Sequence, residues 1–308
     1  MQKKIVNALF FLCLSGCTLL WYRNVQLEKK TVENHPAVLG ARTPSDVVHK
    51  NFDYNWDLYN EGIAAVTAHP PQQLSGKITG AVIPHHLLQS HYIADMYARF
   101  KAQGTVKTVI IIGPNHPEVG AYWALTSAGS WDTPDGIVEA DTQKISALEK
   151  AGVLREDTKT VEIEHSINSQ IPFIAHYLPG VRVVPIVMSA FSSQEQITAL
   201  VTALKPLVGE DTVVVASVDF SHYLDRATAE KMDAETKELL EKKNYGKILS
   251  LANNANHMDS PTSIVTLMQT MDAVGASSMQ VLANTNSGVL LQDDSVPTTS
   301  YFEIAFIR

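Results

Sequence analysis

The run from Val109 to Pro117, VIIIGPNHP, constrains the fold more than any other stretch of the chain. Four consecutive β-branched residues are typical of a strand buried on both faces, as in a parallel sheet covered by helices. Gly113 and Pro114 then predict a turn. A polar residue, His116, follows at once, and its place just beyond a buried strand is the first indication of a functional site.

Similar buried runs alternate with amphipathic segments along the rest of the chain. The predicted strands are 80–84, 106–112, 121–126, 181–188, 212–218, 279–284 and 301–307, and the predicted helices are 87–102, 142–151, 193–207, 227–243 and 262–274. Because strands alternate with helices, the sequence predicts an α/β fold around a mostly parallel sheet. The closing strand is the candidate for antiparallel pairing.

Charge and cysteine content exclude several classes of protein. The net charge is -8 and the sequence has no basic stripe, which argues against a nucleic-acid partner. Both cysteines, Cys13 and Cys17, lie near the N-terminus, so the rest of the chain forms no disulfide and offers no thiolate ligand.

The N-terminus reads as a separate segment. Two lysines precede the apolar run 5–14, which has the length of a signal-peptide core. Leu14-Ser15-Gly16-Cys17 resembles a bacterial lipobox, yet the apolar run continues to Tyr22, as in an uncleaved signal anchor. Both routes, a lipoprotein through Cys17 and a signal anchor, predict a membrane-anchored, extracytoplasmic protein.

These features predict three parts of the chain. Residues 1–24 form a signal peptide or membrane anchor, residues 25–76 form a spacer with one or two short helices, and residues 77–308 form the main compact domain.

Histidines follow three of the predicted strands. His85 comes after the strand at 80–84, His116 after the strand at 106–112, and His222 after the strand at 212–218. In open α/β sheets, ligands bind at the carboxyl ends of the strands, so we expect these side chains to meet. His257 precedes the helix that Pro261 opens, and its place in the site rests on spacing alone.

Three neutral imidazoles with open positions beside them are typical of a first-row transition-metal site. A further histidine outside the metal shell can serve as acid or base, and a carboxylate can fix its tautomer. The spacing of Asp219 and His222 suits such a pair. Glu164 and His165, adjacent in a predicted loop, are further catalytic candidates.

Seven motifs occur in a characteristic order: IPHH, IIIGPNH, SWDTPDGIVEAD, EHSINSQIPF, VVPIVMS, SVDFSH and DDSVPTTSYFEIAF. Together they resemble the Memo family, also known as component B of the AmmeMemoRadiSam system, from Gly80 to Arg308. That family is similar in fold to the class III extradiol dioxygenases, which use non-haem Fe(II). The resemblance implies a three-layer α/β/α sandwich and a functional link to AMMECR-like and radical SAM proteins.

The resemblance also implies roles for individual residues. The family's first two metal ligands match His85 and His116, and its S-x-D-F-x-H motif matches Asp219 and His222. The third ligand is often a cysteine in the family, and His257 stands in that setting here, which puts thiolate-based copper chemistry in doubt. One transition-metal ion is expected, with Fe(II) favoured and copper or zinc as alternatives.

Three functions follow from this interpretation. The first is a metal-dependent, dioxygenase-like redox enzyme acting on a small molecule or peptide, in which His222 moves protons. The second is a zinc hydrolase with His222 or Glu164 as base. The third is a membrane-tethered module that binds a metal or a peptide without turnover.

Overall fold

The computed structural model describes residues 47–50, 54–252, 256–276 and 278–308. The strands are β1 Val48–Lys50, β2 Ile78–Ile83, β3 Thr108–Pro114, β4 Ala124–Thr126, β5 Ser130–Thr133, β6 Gly136–Val138, β7 Arg155–Glu156, β8 Arg182–Met188, β9 Thr212–Ser217, β10 His222–Leu224, β11 Ser278–Asn286 and β12 Thr298–Ile307. The helices are α1 Trp56–Ala68, α2 Ser90–Gln103, α3 Thr142–Lys150, α4 Thr158–Ile163, α5 His165–Asn168, α6 Ile171–Tyr177, α7 Gln194–Leu204, α8 Arg226–Glu241, α9 Tyr245–Leu249, α10 Pro261–Val274 and α11 Ser287–Leu291, with 3₁₀ turns at Leu87–Gln89 and Lys205–Leu207.

The large sheet has the strand order β10-β12-β2-β9-β3-β8-β4-β7, and β11 pairs with β12 beside this path. Its central strands β2, β9, β3 and β8 are parallel to one another, whereas β12 and β4 run antiparallel to their neighbours in the central group. The predicted α/β class is therefore confirmed, and the closing strand is antiparallel. The sheet is more mixed than the sequence indicated, because β10, β11 and β4 add antiparallel pairs.

Helices cover both faces of this sheet, as the unbroken apolar runs require. Along β3, Ile110 and Ile112 belong to one buried cluster with helices α7 and α10, while Val109 and Ile111 belong to a second cluster with helix α2. Successive side chains of a strand point to opposite faces, so one run of β-branched residues supplies both cores. The result is the expected three-layer α/β/α sandwich.

The structure places part of the predicted spacer on the domain. β1 pairs in parallel with β5, and the buried His49 ring lies 4.6 Å from Trp131 with its Nε2 2.8 Å from Ser127 Oγ. Helix α1 packs against α2, with Tyr59 in the same core cluster as Phe173. The sequence predicted short helices in this region, but it did not indicate that one of them packs against α2.

Gly62 permits the close approach of α1 to α2. A Cβ at Gly62 would lie 2.7 Å from both the backbone oxygen and the Oγ of Ser90. Gly62→Ala is therefore expected to destabilise the fold by about 1–3 kcal/mol, because the Ser90 backbone has to move. Urea unfolding measures the change.

Gly246→Ala is the matched control for this substitution. Gly246 also lies in a helix, but a Cβ there meets nothing within 4 Å. Alanine at Gly246 is expected to be neutral or to stabilise by up to about 1 kcal/mol. Equal effects at the two glycines would contradict the role assigned to Gly62.

The predicted membrane-anchored, extracytoplasmic location is corrected. In the part of the chain that the structure describes, no helix is both long and apolar enough to cross a membrane. The longest described helix, α8, has 16 residues, whereas a span needs about 20 apolar ones. The predicted signal peptide or anchor, residues 1–24, lies outside the described residues.

Candidate metal centre

Three neighbouring strands deliver the first residues of the site. β2, β9 and β3 are adjacent and parallel, and His85, Asp219 and His116 follow their carboxyl ends. Asp219 Oδ1 accepts hydrogen bonds from the backbone N–H groups of His85 (3.0 Å) and His86 (3.4 Å). The His85 and His116 rings are 5.1 Å apart and nearly perpendicular.

Asp259 reaches the same point from the segment that precedes α10. An antiparallel bridge between Phe220 and Met258 fixes the register, and Asp259 N–H donates to Asp219 O over 3.0 Å. Asp259 Oδ2 then lies 3.2 Å from His85 Nε2 and 3.8 Å from His116 Nε2. Among the described residues, Asp259 Oδ1 is buried and has no hydrogen-bond partner.

His257 differs from the sequence-based expectation. Its ring is buried against helix α8, where Nδ1 lies 2.9 Å from Thr236 Oγ1, and it belongs to neither group of clustered ligand atoms among the described residues. The Phe220–Met258 bridge explains the difference, since it brings the residue after Met258, and not the one before it, beside Asp219. Sequence reasoning missed Asp259, which lies two residues before Pro261, the first residue of α10.

Glu164 fixes the second histidine. This carboxylate is fully buried, with Oε1 2.8 Å from His116 Nδ1 and Oε2 accepting the His116 backbone N–H at 3.0 Å. Glu164 Oε1 also accepts from Ser166 N, so the same side chain caps the short helix α5. His116 Nε2 is thereby directed towards Asp259.

His165 stacks on this arrangement. Its ring lies 4.1 Å from the His116 ring and 5.0 Å from the His85 ring, and its side chain is 61% exposed. The predicted loop pair Glu164 and His165 thus lies at the cluster, but the two residues differ in kind. Glu164 is buried behind His116, whereas His165 faces the solvent.

The cluster attracts positive charge. Burial alone would lower the pKa of His116, but the negative charges of Asp259 and Glu164 and the hydrogen bond to Glu164 raise that pKa to about 10. His85 shows the same balance: burial opposes protonation, and Asp219 with Asp259 raises its pKa. Burial disfavours the Asp259 carboxylate, yet the two imidazoles lower its pKa. Protons or a metal ion can supply the charge that these carboxylates require.

Two groups of clustered side chains could hold a metal ion. One consists of His85, His116 and His165, and the other of His85, Asp219 and Asp259, with the ligand atoms of each group within 4.8 Å of one another. His85 is common to both, which makes it the centre of the site.

A cleft of about 1040 Å³ opens beside the cluster. His222, which begins β10, lines this cleft together with His85, His116 and Asp219. His222 Nδ1 is buried and has no hydrogen-bond partner among the described residues. The sequence-predicted residues His85, His116, Asp219, His222 and His165 therefore share one cleft.

His86 also faces this cleft. Its Nδ1 lies 2.6 Å from the hydroxyl of the buried Tyr301. Burial lowers the pKa of His86, and Asp219 only partly offsets that effect. The His86 imidazole, directly after the proposed ligand His85 in the chain, is therefore neutral.

Comparisons with known proteins agree with these motifs. The profile of the family described as Memo-like protein matches residues 58–302. A MEMO1 family protein of Methanopyrus kandleri is 29% identical over 286 residues, covering 90% of this chain and all of the relative. MEMO1 family proteins of Pyrobaculum arsenaticum and Sulfolobus acidocaldarius are each 33% identical, over 67% and 61% of this chain and 74% and 69% of the relative.

The family match begins at Leu58, inside α1, and so includes a helix that the sequence assigned to the spacer. It covers the strand-end histidines and Asp259 alike. The chain belongs to the Memo-like protein family.

Proposed function

We propose that this Memo-like protein holds one transition-metal ion on His85, His116 and Asp259 and uses it for redox chemistry of the non-haem iron type. The observation that carries the proposal is the position of Asp259 Oδ2, 3.2 Å from His85 Nε2 and 3.8 Å from His116 Nε2. Donors bound at about 2.1 Å around one ion are separated by roughly 3.0–3.4 Å. Asp259 Oδ2 already lies at such a distance from His85 Nε2 and would have to approach His116 Nε2 by a few tenths of an ångström.

The donor types also fit this proposal. Two imidazoles and one carboxylate with open positions beside them form the ligand set of non-haem Fe(II) oxygenases. Bound Fe(II) supplies one-electron chemistry with dioxygen. The remaining lone pairs of the buried Asp259 carboxylate, including the unpartnered Oδ1, suit a cation better than a neutral neighbour.

Glu164 serves as the positioning residue for His116 in this proposal. Glu164→Gln keeps the size of the side chain but removes the charge that orients the His116 ring through Nδ1. We expect metal affinity to fall by about 10–100-fold. Competition with a chromogenic chelator measures the loss. Glu162→Gln, two residues away on the cleft wall, is the control that should bind metal normally.

His222 is proposed to move protons between the substrate and solvent. It lines the cleft and offers a nitrogen that no described group occupies. His222→Gln is expected to retain the metal and to lose turnover by about 10²–10⁴-fold, the usual contribution of general acid–base catalysis. Metal content by elemental analysis and oxygen uptake measure the two effects separately. An emptied metal site in this variant would make His222 a ligand instead.

A zinc hydrolase is the second candidate, and the grouping of His85, His116 and His165 favours it. Three imidazoles and a water form a catalytic zinc site. Anaerobic purification followed by elemental analysis distinguishes the two. Stoichiometric iron with oxygen uptake supports the redox enzyme, whereas retained zinc without oxygen uptake supports the hydrolase. Unchanged zinc affinity in His165→Gln would refute the set of His85, His116 and His165.

A further inference from the structure

One wall of the cleft consists of residues that are not part of the metal centre. Aromatic and aliphatic side chains form this wall: Tyr54, Leu58, Leu87, Ile163 and Tyr223. Ile163 and Tyr223 are 65% and 81% exposed, an unusual exposure for such large apolar groups. Apolar side chains that are exposed around a concave surface mark a binding site for an organic molecule, and the cleft volume of about 1040 Å³ admits one.

Tyr54 is held rigidly in this wall. Its hydroxyl donates to Ser169 O over 3.0 Å, and its ring lies 4.6 Å from Trp56 and 6.1 Å from Tyr59. A ring fixed in this way binds a flat partner without losing its own freedom of motion. Tyr54 and Tyr223 also offer aromatic faces to a cation.

The charge of the cleft selects among such molecules. None of the described residues that line it is a lysine or an arginine, whereas Glu162 and Asp219 line it directly. Asp259 and Glu164 lie immediately behind the histidines. Four carboxylates outnumber the two positive charges of a divalent ion, so the occupied site stays negative and repels an anion.

We propose that the cleft binds a small organic cation with an aromatic ring, that is, a protonated arylalkylamine. This ligand rests on the proposed function, because it would bind beside the same metal site. The apolar wall receives the ring, and the excess of carboxylates attracts the ammonium group. Cation–π contact with the tyrosine rings adds to this attraction.

Three probes that share one ring and one chain length test the proposal: phenethylamine, 2-phenylethanol and phenylacetate. Their affinities for the zinc-loaded full chain are measured by saturation-transfer NMR titration. The amine is expected to bind at least about fivefold tighter than the alcohol, since one additional unit-charge attraction at close range supplies that factor. Phenylacetate is expected to bind weakest.

Variants locate the binding. Glu162→Gln is expected to reduce the preference for the amine and to leave the alcohol unchanged, while Glu139→Gln, outside the cleft, changes neither affinity. Tyr54→Ala is expected to weaken all three probes. Tyr223→Asn tests the same wall without a risk to the core, because Tyr223 is exposed and has a φ of 60°, which asparagine tolerates.

The outcomes separate this inference from the proposed function. Zinc affinity is measured on the same samples, so amine binding without zinc binding would refute the metal site alone. Equal or tighter binding of phenylacetate, no detectable binding of any probe, or binding that the Tyr54 and Tyr223 variants leave unchanged would overturn the assignment of an arylalkylamine.

Discussion

Asp259→Asn is expected to abolish tight metal binding, whereas His257→Gln leaves it close to that of the unaltered protein. Asparagine keeps the size of the side chain and the backbone hydrogen bond to Asp219 O, but it removes the negative charge beside His85 and His116. Removal of an orienting partner costs about 10–100-fold in metal affinity, and loss of a ligand is expected to exceed that range. A competition titration with a chromogenic chelator measures both variants.

The His257 variant is the control that distinguishes the two possible ligand sets. The His257 ring contacts Thr236 and is not among the clustered ligand atoms of the described residues. If His257→Gln lost the metal and Asp259→Asn kept it, the ligand set would be the one that the sequence motif indicated. Thermal unfolding of both variants, followed by circular dichroism, checks that neither effect reflects a loss of the fold.

The sequence predicted the central sheet because its strands are buried on both faces. Only a two-sided core stabilises a run such as Val109 to Ile112, and the structure buries its alternate residues in two clusters. The edge of the domain was harder to predict. Several elements there are too short to show a clear hydrophobic periodicity, and they depend on partners distant in sequence: strands β5 and β6 and helices α4 and α5.

The clustering of His85, His116 and Asp219 was also open to sequence reasoning. Each follows a parallel strand, and strands of that kind bring their carboxyl ends to one edge. Asp259 was not accessible in this way, because its position depends on the bridge between Phe220 and Met258, a contact across 38 residues of chain that includes all of α8. Spacing relative to Pro261 favoured His257 instead.

The wall of the cleft was likewise not predictable from the sequence. Tyr54 and Leu58 lie before the predicted start of the domain, and nothing in their neighbourhood indicates a ligand. Their role arises from the packing of α1 on α2, which Gly62 permits. The periodicity of hydrophobic residues predicts a helix, but it does not show which part of the folded chain that helix packs against.

A second large effect is expected at Asp95 and Glu303, a buried carboxylate pair that is not part of the metal centre. Glu303 on β12 is 3% exposed, and its Oε1 has no hydrogen-bond partner among the described residues. Arg99 Nε lies 2.5 Å from Asp95 Oδ2 but 3.8 Å from Glu303 Oε1, so Arg99 pairs with Asp95. Burial, and then the charge and hydrogen bond of Asp95, raise the pKa of Glu303 well above its usual value, and Arg99 only partly opposes them.

Glu303→Gln is therefore expected to stabilise the protein at neutral and alkaline pH. The folded state binds the Glu303 proton more tightly than the unfolded state, so the stability it contributes is complete below the ordinary pKa of 4.5 and is lost as the pH rises through the raised value. Glutamine stays uncharged, and the gain is expected to reach about 3 kcal/mol above that range. Urea unfolding at about pH 4 and about pH 8 measures it, with the exposed Glu61→Gln as control. A gain of equal size at both pH values would show that folding does not raise the pKa of Glu303, since the effect of the substitution depends on pH only where the folded and unfolded states differ in their affinity for the proton.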